Sequence, residues 1–189
     1  AQKLATLSAK IAATISSNPK LSEFSSQIRL EITPDGLQIQ IVDEQKRPMF
    51  DSGSATLKPY MREILREIGS ALLEVENKIS LDGHTDQSAY SNSALGYSNW
   101  ELSADRANAS RRELAAVGMP DEKLVRVVGM ASSLLLEPDT PLSPSNRRIS
   151  ILVMTKEAED RLLGGNRVPL EVDTESSSTS DTNGAKSPR

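Results

Sequence analysis

Apolar positions recur along this chain with two periods, and the switches between them mark its elements. In "AQKLATLSAKIAATISS" the residues Leu4, Leu7, Ile11 and Ile15 fall three and four apart, which makes one apolar helical stripe. Asn18–Pro19 ends it, because proline cannot continue a helical hydrogen-bond ladder. A helix this short is marginal alone. Its stripe is therefore expected to be covered, by its own domain or by a second copy of the chain. In "IRLEITPDGLQIQIVD" the period changes to two. Ile28, Leu30 and Ile32 alternate, Pro34-Asp35-Gly36 supplies a turn, and Leu37, Ile39 and Ile41 alternate again, predicting a hairpin.

After the loop "EQKRPMFDSGSA" the helical period returns. Leu57, Met61, Ile64, Leu65, Ile68, Leu72 and Val75 form a stripe over five turns, with Pro59 where a first turn accepts it. "KISLDG" is then a strand. Strand, long helix and strand predict a βαβ unit with parallel strands and a right-handed crossover. A Ser-x-x-Glu capping box, Ser98 to Glu101, opens a further helix through "ELSADRANASRRELAAV" that ends at Gly118 and Pro120. "KLVRVVGM" and "RRISILVMT" supply two more strands around the Pro-rich loop "EPDTPLSPSN".

From Gly164 onward the chain is polar and low in complexity, which predicts a disordered tail. Removing it should cost little. A fragment ending at Leu163 is expected to unfold within about one degree of the whole chain in a thermal scan followed by circular dichroism, because few stabilising contacts are lost. A drop of many degrees would show that the tail packs.

Composition narrows the partners. The 189 residues carry 22 Lys+Arg against 26 Asp+Glu, a formal charge of −4. That balance argues against nucleic acid, which is bound by concentrated basic surface. The pairs Arg111–Arg112 and Arg147–Arg148 are too short and too far apart to form such a surface. With no cysteine, disulfides and thiolate metal sites are excluded. No apolar run approaches the ~20 residues that span a bilayer. Without an initiator methionine or a signal-like start, the sequence is expected to be a processed or excised fragment.

The chemistry concentrates in "LDGHTD" and the helix that follows. Asp82, His84 and Asp86 alternate, so an extended strand would put all three on one face. Metal binding is disfavoured, since zinc sites use several His or Cys ligands and His84 is the sole histidine. A Ser–His–Asp triad lacks a nucleophile-elbow motif, and no cofactor is implied. His84 is instead expected to be a hydrogen-bonded residue at a strand end. Ligands of such sheets bind beyond the carboxyl ends of strands, beside helix N-termini, where Gly83 to Asn99 lie. Arg106, in the second turn of the helix, reaches back over its start. Asp86 and Arg106 could flank a pocket for a zwitterion, the ammonium on the carboxylate and the carboxylate on the guanidinium. Alternatively they bond each other as a structural ion pair.

Taken in order, "ISLDGHTD", "NWELSADRA", "VVGM" and "NRRISI" resemble the OmpA-like peptidoglycan-binding family, and "MFDSGSATLKP" before a long helix extends the match over about residues 28–155. The resemblance implies an α/β sandwich, a mixed parallel and antiparallel sheet with helices packed on one side. An N-terminal helical segment (1–27) would precede the domain (28–163), and the polar tail (164–189) would follow it. The implied function is non-enzymatic binding of the diaminopimelate-bearing peptide stem of peptidoglycan. Asp86 would take the ammonium and Arg106 the carboxylate, with Thr85, Asn99 and Arg147 as further contacts. "SNWELS", with the enlarged loop before it, is most similar to members that tether the proton-driven flagellar stator to the wall. That implies a periplasmic part of an inner-membrane protein, a homodimer, and a MotA-type stator subunit as partner. A general wall-tethering protein of the outer envelope, and a wall hydrolase, are the alternatives. Three departures from the family pattern stand out: the loop from Gln87 to Ser98 is longer than in compact members, "GMA" at 129–131 replaces Gly-x-Gly, and Ser145 replaces the alanine that often precedes Asn146.

Overall fold

The computed structural model describes residues 2–90 and 96–164. Helix α1 (Gln2–Ser17) leads through a short 3-10 turn into strands β1 (Ile28–Thr33) and β2 (Gly36–Val42). Helix α2 (Pro59–Leu72), strand β3 (Ile79–His84), helix α3 (Asn99–Ala116), strand β4 (Leu124–Gly129), strand β5 (Arg148–Met154) and helix α4 (Lys156–Leu163) follow. The five strands form one mixed sheet in the order β1-β2-β5-β3-β4. Only β3 and β4 pair in parallel; the other three neighbouring pairs are antiparallel.

Strict alternation explains the layering. Leu37, Ile39 and Ile41 of β2, Ile149, Ile151 and Val153 of β5, and Ile79 and Leu81 of β3 are buried in one core with α2 and α1. The opposite face carries Gln38, Gln40, Ser80, Asp82, Arg148 and Ser150, as a period of two requires. The stripe Leu4, Leu7, Ile11 and Ile15 is buried in the same core, so this domain itself covers the helix. Strands β2 and β3 run in the same direction, as the βαβ pattern predicts, but are not neighbours. The last strand, β5, inserts between them and pairs antiparallel with both.

Close approach brings α3 onto β3. Gly83 and Gly129 sit side by side in the β3–β4 pair under the first turns of α3. A Cβ on Gly83 would lie 2.0 Å from the Ser103 carbonyl oxygen, and one on Gly129 would lie 2.7 Å from the Ala104 nitrogen. The capping box forms as the sequence predicts: the Ser98 N–H donates to Glu101 Oε2 at 2.7 Å, and Ser98 Oγ accepts from the Trp100 N–H at 3.2 Å. Together these two features set the start of α3 above the carboxyl end of β3. Among the described residues, no helix is long and apolar enough to cross a membrane. The polar tail expected from Gly164 lies outside the described residues except for Gly164, the left-handed cap of α4.

Candidate functional site

Strand β3 ends at His84, and the chain turns there under local restraint. The Thr85 N–H donates to the Ala131 carbonyl at 2.8 Å, and the Met130 N–H to the Gly83 carbonyl at 2.9 Å. Ala131 itself is left-handed, φ 48°, at the position where glycine completes the Gly-x-Gly pattern. A hydrogen bond from its N–H to Ser103 Oγ, 3.0 Å, helps hold it there. Ser145 leaves Asn146 in place. That side chain is fully buried and accepts from the Glu137 N–H while donating to the Thr140 carbonyl.

A cleft of about 570 Å³ opens beyond this strand end. Thr85, Asp86, Asn99, Arg106 and Arg147 all line it, so the five residues singled out from sequence converge on one place. The pairing within it differs from the simple Asp86–Arg106 bond. Asp86 Oδ2 accepts from Arg147 Nη1 at 2.6 Å, and its Oδ1 accepts from the Ser88 N–H at 2.8 Å. Arg147 also donates through Nε to Asp43 Oδ2 at 2.9 Å. Arg106 forms no ion pair among the described residues. Its Nε donates to the Ser54 carbonyl at 2.8 Å, and its guanidinium lies 4.7 Å from the centre of the Phe50 ring, a cation–π geometry. The structural ion pair weighed from sequence does exist at Asp86, but with Arg147 as its partner.

Smaller contacts complete the walls. Thr85 Oγ1 donates to the Asp86 carbonyl, and Asn99 Nδ2 donates to the Ser88 carbonyl at 2.7 Å. The enlarged loop adds Tyr90, whose hydroxyl donates to the Gly53 carbonyl at 2.9 Å across the mouth. Residues 91–95 of that loop lie outside the described residues. Asp43, Phe50 and Tyr90 escaped the sequence reading. Asp43 follows directly on a buried strand, and that proximity was the one available signal.

Electrostatics separates the two carboxylates. Burial opposes ionisation of Asp86, but the bonds from Ser88 and Arg147 outweigh it and hold its carboxyl below the usual range. At Asp43 burial prevails over Arg147 and the Met49 N–H, and the pKa is raised. Burial also lowers the pKa of Arg106, which remains cationic at neutral pH.

His84 stays apart from this chemistry. It points to the polar face of the sheet opposite Arg148, is 5% exposed, and its Nδ1 finds no hydrogen-bond partner among the described residues. The hydrogen-bonded role expected for it is therefore not met at that atom. Burial first, and the Arg148 charge second, push its pKa down to about 4. The folded protein thus binds a proton at His84 less readily than the unfolded chain does. Stability is whole above pH ~6.5 and falls as pH drops toward 4, by about 3 kcal/mol from this residue. Denaturant unfolding at pH 7 and at pH 4.5 should show the loss, and His84→Asn should flatten that part of the slope. Asp86 acts in a lower window, below its unfolded pKa of about 3.9.

A larger cleft, about 1030 Å³, lies at the other end of β3, between α1 and α4. Its walls are mostly exposed side chains already paired with each other, Lys10 with Glu74 and both Lys78 and Lys156 with Glu159. Among the described residues no three His, Cys, Asp or Glu side chains gather closely enough to hold a metal.

A βαβ unit split by β5, whose strand end presents Asp86 to a cleft that Arg106 of α3 also lines, defines the class. Residues 49–148 match the model of the OmpA family, and the chain belongs to that family. In sequence it is 51% identical over 152 residues to Motility protein B of Escherichia coli K12, covering 80% of this chain and 49% of that protein. It thus spans about half the length of that relative. The putative truncated flagellar export/assembly protein LafU of the same organism is 40% identical over 85% of this chain and 75% of its own. Among solved structures, a putative MotB-like protein from Desulfovibrio vulgaris superposes with a TM-score of 0.69 at 19% identity, over 82% of this chain and 96% of that one. The periplasmic domain of Helicobacter pylori MotB gives 0.60 at 19% identity, over 72% and 94%. These likenesses establish the fold.

Proposed function

We propose that the chain binds peptidoglycan without making or breaking bonds, and that it anchors a proton-driven flagellar stator to the cell wall. The observation that carries this reading is the cleft itself. The Asp86 carboxylate and the Arg106 guanidinium line the same opening without bonding each other. An acceptor and a planar donor fork set apart in this way suit a ligand with an ammonium at one end and a carboxylate at the other. The diaminopimelate of a peptide stem has both. Thr85 and Asn99 shape the walls, and Arg147 supplies a second guanidinium. The flagellar setting follows from the similarity to Motility protein B. In that setting the chain would be the periplasmic part of an inner-membrane protein, a homodimer working with a MotA-type subunit. Each site would bind modestly, and dimerisation would raise retention through effective concentration.

Incubation with purified sacculi tests the binding. The chain should pellet with the wall and release no soluble fragments. Release would favour the hydrolase reading, and failure to pellet would remove the proposal. The setting is tested separately, by replacing the corresponding segment of Escherichia coli Motility protein B with this chain and scoring swimming. Pelleting without restored motility would favour a general wall tether.

A further inference from the structure

We infer that Asp43 is a positioning residue for ligand binding, holding Arg147 so that Asp86 can exchange that guanidinium for a ligand ammonium. The inference rests on the stem-peptide reading of the cleft. In the free protein a single guanidinium serves two buried carboxylates, through Nε to Asp43 and Nη1 to Asp86. Both carboxylate side chains are more than nine-tenths buried, so neither can turn to bulk water when its partner leaves.

The two carboxylates are not equivalent. Asp43 is fixed: its Oδ1 accepts from the Met49 N–H at 2.7 Å, and its own N–H donates to the Arg147 carbonyl at 2.9 Å. Nε is the guanidinium nitrogen nearest the side-chain stem, so the bond to Asp43 sets the plane in which both Nη atoms lie. Asp86 holds only the outer nitrogen, at the cleft. A ligand ammonium can take that place on Asp86, and the freed Nη1 N–H groups, still held in their plane by Asp43, can donate to the ligand's carboxylate. No buried charge is then left unpaired. A simple monocation would displace Nη1 and offer it nothing in return, so the arrangement selects for a zwitterion. Without Asp43, Arg147 would settle on Asp86 with both edges and compete with the ligand.

The experiment is calorimetric titration of the chain with a diaminopimelate-bearing tripeptide stem. Asp43→Asn keeps the oxygen that accepts from Met49 but presents an amide to Arg147, and should weaken binding about tenfold, the size of one charge-assisted bond. In an Arg147→Lys background, which lacks the fork, the same change should cost less than about threefold, since the two residues act as one unit. Equal losses in both backgrounds, or unchanged affinity of Asp43→Asn, would overturn the inference. Should Asp43→Asn fail to fold, the parent alone decides: the Arg147 Nε proton should resonate downfield and exchange slowly in NMR spectra, and a fast-exchanging, unshifted proton would refute the grip. A parent that ignores the peptide overturns the stem-peptide reading and the ligand half of the inference. The Nε signal still reports whether Asp43 holds Arg147.

Discussion

Asp86→Asn and Arg106→Lys are each expected to weaken binding to purified sacculi by about 10- to 150-fold per site, the effect of losing a charge-assisted bond worth roughly 1.5–3 kcal/mol. Asparagine keeps the outline of Asp86, and its carbonyl oxygen still accepts from the Ser88 N–H, but the charge that an ammonium requires is gone. Lysine keeps the charge of Arg106 and loses the planar fork, together with its stacking on Phe50. The two side chains do not bond each other, so their losses should multiply in the double variant. Cosedimentation over a range of sacculus concentrations measures the effect, with circular dichroism confirming that each variant is folded. Wild-type pelleting by both folded variants would show that the cleft is not the wall site. Asp86→Asn carries a second signature. It releases Arg147 from Asp86 and leaves that guanidinium on Asp43 alone, so the loss in stability should stay small.

Gly83→Ala should be far more damaging to the fold than Asp86→Asn or Arg106→Lys. Its Cβ would stand 2.0 Å from the Ser103 oxygen and 2.9 Å from the Ser103 carbonyl carbon, both backbone atoms that no rotamer change can move. Helix α3 would have to lift from β3, opening the contacts around Ala107 and Leu114, which are fully buried. Overpacking of this kind costs about 3 kcal/mol or more when backbone must shift. Chemical denaturation should show a loss of that size or an unfolded protein. Gly118→Ala is the control. The space there is open but φ is 94°, so only conformational strain of about 1 kcal/mol applies. If Gly83→Ala were no worse than Gly118→Ala, the close approach of α3 to β3 would be misjudged. The same lift would carry Asn99 and Arg106 away from Asp86, so surviving Gly83→Ala protein should also bind sacculi weakly.

These two residues show what each level of description contributes. The elements were legible in the sequence because their signals are local. Alternation names the buried face of β2, the 3-4 spacing names the buried stripes of α1 and α2, and Ser98 with Glu101 caps α3 within four residues. Asp86, Asn99 and Arg106 were legible because a strand end and the next helix start meet wherever a strand feeds a helix over its carboxyl edge. Beyond the β1–β2 hairpin, whose turn joins its two strands directly, strand neighbours were not legible. Periodicity encodes which face a strand buries, and says nothing of which strand lies beside it, so the insertion of β5 between β2 and β3 emerged only on folding. Charge partners were hidden for the same reason. Asp86 looked equally able to bond Arg106 or to leave it free, and the outcome depended on a strand 61 residues away bringing Arg147 to it. Asp43 meets that same guanidinium across 104 residues of chain, while the loop at 51–54 draws Arg106 aside through its carbonyl groups. An ion pair is short-ranged in space and indifferent to sequence separation, so the sequence alone singled out Asp86, Arg106 and Arg147, and the packing of β5 against β2 and β3 decided how they pair and that Asp43 joins them.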